Sequence, residues 1–123
     1  MQETLDQLLD VLTPKADSEL EFTAQNMHPE AFRVYGGQVL AQCISAAAAT
    51  VTVGREVHSQ HAYFLRPGNP KLPIAMEVEV VRDGLSFSAR RVVASQNGKT
   101  ILVSTLSFQD PDEGDDYQGV MPD

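Results

Sequence analysis

Two adjacent glycines, Gly36-Gly37, stand with Gln38 at the head of an uncharged, mostly apolar run. Glycine lets backbone approach a ligand closely, and N–H groups left free at a helix start can polarise a carbonyl or hold a phosphate. The same pair equally suits a tight entry into a helix. Gln38 can orient a water or the bound carbonyl, or cap the helix. His61 lies within an alternating segment, on the face of Val57, Ser59, Tyr63 and Leu65. An imidazole there is either a general base acting on water or a buried, hydrogen-bonded core group. His58 falls on the opposite face. Arg90 and Arg91 either meet phosphates or pair across a hairpin with Glu77 and Glu79.

Other chemistries find less support. Ser86 and Ser88 share a face with Arg90, opposite Leu85, Phe87 and Ala89, but no G-x-S-x-G elbow surrounds them. Cys43 is the sole cysteine; within an apolar run it reads as a small core residue, and one thiol forms no intrachain disulfide. Three histidines without nearby acidic or cysteine spacing predict no metal site, and nothing calls for a cofactor. The net charge of −8 is concentrated: six of the 17 acids fall between Asp110 and Asp123. The remainder is close to balance, without the basic footprint that nucleic acid requires. A phosphorylated ligand stays possible through Arg33, Arg55, Arg66, Arg82, Arg90 and Arg91. Met1 is followed by no basic stretch and apolar core of a secretory signal, which predicts a cytoplasmic protein. The low-polarity stretch Val39–Val53 is too short to span a bilayer.

The elements that must position these residues follow from periodicity. Leu5, Leu8, Leu9 and Leu12 recur at helical spacing over Thr4–Leu12, with a Thr4/Gln7 capping box and Pro14 as the stop. Leu20, Phe22 and Ala24 alternate as a strand. From Gly37 to about Thr50, Val39, Leu40, Cys43, Ile44 and Ala47 form one helical stripe, broken only by Gln38, Gln42 and Ser45. A helix without charge on any face is buried on most of its surface, so Cys43, Ile44 and Ala47 are expected to be inaccessible. Strands follow over His58–Arg66, Ile74–Val80, Leu85–Gln96 and Lys99–Phe108, the last two joined by Asn97-Gly98. An α+β fold, an antiparallel sheet wrapped round one hydrophobic helix, satisfies this order. One domain over 1–110 and an acidic tail or linker over 111–123 are expected.

YGGQVLAQ (Tyr35–Gln42), HAYFLRPG (His61–Gly68), RDGLSFSARRV (Arg82–Val92), QNGKTI (Gln96–Ile101) and FQDP (Phe108–Pro111) resemble, in matching order, the N-terminal hot-dog domain of the type II acyl-CoA thioesterases. The resemblance implies a hot-dog fold and an acyl-CoA substrate, with the active site at the start of the central helix. Members of that family carry two hot-dog domains side by side, and their catalytic Asp, Thr and Gln lie in the second. This sequence stops near where the linker between halves would run, so none of the three has a counterpart here. His61 falls near the position that the second domain's Asp would occupy. The expected function is acyl-CoA hydrolysis with Gln38 and His61 as candidate catalytic residues. Gly36, Gly37 and Arg90 are the substrate-binding candidates. The chain would pair as a homodimer, a higher even oligomer, or with a second hot-dog domain. The other reading is a non-catalytic half that supplies dimer surface and acyl-pocket wall.

Overall fold

The uncharged run becomes α2 (Gly36–Ala48), and the rest of the chain is laid around it. The computed structural model describes residues 2–111. The acidic tail expected from 111 onward therefore lies almost wholly outside the described residues. Helix α1 (Gln2–Leu12) starts earlier than expected, so position 4 falls inside it. It packs against α2. Six strands follow the chain order: β1 (Lys15–Ala16), β2 (Glu21–Ala24), β3 (Glu56–Phe64), β4 (Ile74–Asp83), β5 (Phe87–Gln96) and β6 (Lys99–Gln109). Strand β1 was not anticipated, since two residues show no periodicity.

The strands form one antiparallel sheet in the order β1-β2-β4-β5-β6-β3, the hot-dog arrangement, with α2 against its inner face. Asn97 (φ 50°) and Gly98 (φ 78°) make the tight β5–β6 hairpin, a turn that requires the left-handed region at both positions. From α2, Val39, Cys43, Ala46 and Ala47 meet inward residues of the sheet, among them Met76, Val92, Leu102, Leu106 and Phe108. Alanines on the helix allow close approach, and each large side chain buried contributes about 1.5–3 kcal/mol. Cys43 and Ala47 are fully buried as expected, and burial pushes the Cys43 thiol up to about 12. Ile44 is only half-buried, packed at the margin of the core.

The two edges of the sheet differ. Strand β1 is two residues long, which blunts its edge. Strand β3 runs nine residues and, among the described residues, pairs on one side only, with β6.

Candidate functional site

Helix α2 begins without a side-chain cap and with no acidic residue in its first turn. Neither the Gly36 nor the Gly37 N–H finds an acceptor among the described residues; the first inward bond is Gln38 N–H to the Tyr35 carbonyl, 3.1 Å. Both glycines stand close against an aromatic ring. A Cβ on Gly36 would lie 3.0 Å from the Phe64 ring, and one on Gly37 would lie 2.7 Å from the Tyr35 ring. Beside this helix start opens a cavity of about 360 Å³. Gly36 and Val39 form one wall, the end of β3 and its continuation (Phe64, Leu65) another, and Ile101 and Leu102 of β6 the floor. Arg33 and Arg66 stand at its margin. Among the described residues its lining includes no carboxylate, imidazole or thiol.

The structure separates the candidates named from sequence. Gly36 lines the cavity and Gly37 lies next to it. Gln38 turns away from it and is buried. Its Oε1 accepts the Met27 N–H (3.0 Å), while Nε2 donates to Asn26 Oδ1 (3.0 Å) and to Gln42 Oε1 (3.2 Å). Gln42 Nε2 continues the chain of amides to the carbonyls of Val11 and Gln25, both at 2.7 Å. Gln38 thus neither caps the helix nor lines the cavity; it braces the loop ahead of α2. The clue was present in the sequence: the uncharged polar residues Gln38 and Gln42 are spaced i, i+4.

Arg90 requires a correction. It is only 2% exposed and points inward from β5, at the opposite end of α2 from the cavity, about 20 Å along a 13-residue helix. Its Nη2 donates to the Thr50 carbonyl (2.9 Å) and Nε to Thr50 Oγ1 (2.8 Å), while Nη1 forms an ion pair with Asp83 at 2.9 Å. Helix α2 has no basic residue in its last turn, so Arg90 supplies the cation that its C-terminal carbonyls favour. A guanidinium buried and engaged this way does not reach a phosphate. Arg91, on the outer face, makes the expected cross-strand pair, with Glu79 at 3.2 Å. Hydrogen bonds from Arg90 first, and then Ser88, hold the Asp83 carboxyl below the usual carboxylate range. Arg55 is likewise committed, to Asp110, Ser88 and the carbonyls of Gly84 and Leu85.

His61 is exposed on β3, opposite Thr105, on the outer face of the sheet and outside the cavity lining. Ser59 and Tyr63 share its face as expected, but Val57 does not. A bulge between Val57 and Ser59 pairs Val57 with the inward Phe108. The same bulge brings the His58 ring to Ser107 Oγ (2.8 Å), on the side of the sheet that His61 occupies. Among the described residues no cluster of three or more His, Cys, Asp or Glu could hold a metal ion, and no helix is long and apolar enough to cross a membrane.

Comparison with known proteins agrees with this geometry. The acyl-CoA thioesterase 2 of Haemophilus influenzae is 40% identical over 99% of this chain and 43% of its own length. The human acyl-coenzyme A thioesterase 8 is 46% identical over 72% of this chain and 28% of its own. The solved structure of a tesB protein from Mycobacterium avium subs paratuberculosis superposes with a TM-score of 0.81 at 37% identity, covering 88% of this chain and 44% of that one. The chain thus spans less than half the length of these relatives. The family described as acyl-CoA thioesterase N-terminal domain matches residues 23–109, and the chain belongs to that family.

Proposed function

We propose that this chain serves in the hydrolysis of acyl-CoA to free acid and coenzyme A, paired through the β3 edge with a second copy or a second hot-dog domain. One observation carries the reading: an apolar cavity opens directly against an uncapped helix start whose two N–H groups are unspent. The acyl chain occupies the cavity, and its thioester carbonyl lies toward Gly36 and Gly37. Water adds to the carbonyl carbon, the N–H groups stabilise the tetrahedral oxyanion, and the C–S bond breaks to release the thiol. The β3 edge supports pairing, because its outward backbone groups have no partner among the described residues and Tyr63, Phe64 and Leu65 expose apolar surface beside it. A cytoplasmic setting is part of the same proposal.

The group that activates water comes either from the paired domain or from His61, which stands on that same edge strand. A second reading, the non-catalytic half, is favoured by one specific observation: the cavity lining offers no acid or base. Turnover of acyl-CoA by the 123-residue chain separates them. The catalytic reading expects hydrolysis that rises with dimer population and falls about 10²–10⁴-fold in His61→Gln, the usual worth of a general base. No turnover at any acyl length, from a folded and paired chain, establishes the non-catalytic half. Activity that survives His61→Gln assigns the base to another residue.

A further inference from the structure

The nine lysines and arginines are distributed unevenly once their contacts are known. Arg55 and Arg90 are consumed internally, and Arg91 by Glu79. Arg82 lies over the Phe87 ring, 5.3 Å from its centroid, on the outer face. Of the five that remain, three surround one opening. Arg33 and Arg66 border the apolar cavity; Arg33 and Lys71 border the shallow groove that continues from it over Pro67 and Gly68. All three are exposed. Two are partly pre-set: Arg33 stacks on Phe32 at 5.4 Å, and Arg66 Nη1 holds the Thr100 carbonyl at 2.8 Å. Each guanidinium retains further N–H donors. Among the described residues the one carboxylate in either lining, Glu30, is 3.2 Å from His28 Nδ1. In a chain of net charge −8, an apolar pocket whose mouth is locally cationic selects a ligand with an apolar end and an anionic end.

We propose that Arg33, Arg66 and Lys71 form the subsite for the phosphates of a phosphorylated acyl thioester, the class to which acyl-CoA belongs. This rests on the acyl-thioester reading of the cavity. It also relocates phosphate recognition from the buried Arg90 to the rim beside Gly68. The acyl group enters the cavity, the thioester lies at Gly36, and the phosphates trail outward over Pro67 and Gly68.

Octanoyl-CoA and octanoyl-pantetheine share the acyl group and thioester and differ in the phosphates. Calorimetric titration of the chain with both is the test. Expected is binding of octanoyl-CoA tighter by roughly tenfold or more, the worth of one or two charge-assisted hydrogen bonds. The advantage should shrink with added salt. Arg33→Ala with Lys71→Ala, and separately Arg66→Ala, should erase it while leaving octanoyl-pantetheine binding and the melting temperature as they were. Lys15→Ala, on the far edge strand, should change neither. An advantage that persists in the charge variants, or its absence in the native chain, overturns the rim and leaves the thioester reading standing. Failure of both compounds to bind overturns the two together.

Discussion

The two ends of α2 resolve the same problem in opposite ways. At its C-terminus, the Ala47 carbonyl accepts from Thr50 Oγ1 at 2.7 Å, and Arg90, itself locked by Asp83, holds the Thr50 carbonyl just beyond the helix end. At its N-terminus there is no cap and no acidic residue, and the glycines are flanked by the exposed rings of Tyr35 and Phe64. One end is closed by polar groups that satisfy one another; the other keeps its donors and an adjoining cavity. A helix whose end could have been capped and was not is a stronger pointer to a ligand than any single reactive side chain in this molecule.

The largest effect should come from opening the closed end. Arg90→Met removes the bonds to Thr50 and Asp83 and should destabilise the fold by about 3–4 kcal/mol, read from a urea midpoint. It should leave thioester binding by the folded fraction intact. A loss within about 0.5 kcal/mol would mean that something other than Arg90 holds that end. Gln42→Leu comes next. It strands the Val11 carbonyl of α1 and removes the shorter of two amide bonds to the Gln25 carbonyl, for about 2 kcal/mol. Gly36→Ala should barely move stability, because the helix gains up to about 1 kcal/mol in propensity and the half-exposed Phe64 ring can yield. Its ligand affinity should fall, since the new methyl enters the cavity wall; unchanged affinity would remove Gly36 from the site.

The smallest effect concerns pH and the closed end alone. The Asp83 carboxyl titrates below its unfolded value, so its contribution is present above about pH 4 and is lost as pH falls through the folded value. Asp83→Asn should flatten that part of the acid unfolding curve. An acid limb identical in the two proteins would show that the pair with Arg90 contributes no net stability.

Much of the fold was legible because it rests on local rules. The missing charge between Gly36 and Thr50 marked the buried helix, and Asn97-Gly98 marked the hairpin. What escaped depended on partners distant in sequence. Alternation placed Ser88 and Arg90 on one face and Leu85 and Phe87 on the other, but not which face turned inward. The polar pair goes in, because Arg55 and Thr50 wait there, and Leu85 is left exposed. A bulge leaves no trace in composition, so Val57 and His58 were assigned to the wrong sides. The glycines of the site were legible as chemistry in search of a helix start. The cationic rim was not, since Arg33, Arg66 and Lys71 come together only when the loop before α2 meets the loop after β3.

The position of β3 also dictates an order of assembly. Gln96 faces Lys99 across the hairpin and β4 joins β5 through a short turn, so these three strands can zip from contacts close in sequence. Strand β3 has no such neighbour. Its partner β6 follows only after β4 and β5, and Glu56 must find Gln109. Non-local pairing of this kind carries the larger loop-closure entropy and forms slowly. The strand that offers the free edge therefore docks late, as does β2, whose Glu21 must find Glu77. Until β3 docks, β6 is itself an edge, open to β3 of another copy. Refolding yield should accordingly decline with protein concentration more steeply than for a sheet whose edge strands are paired early.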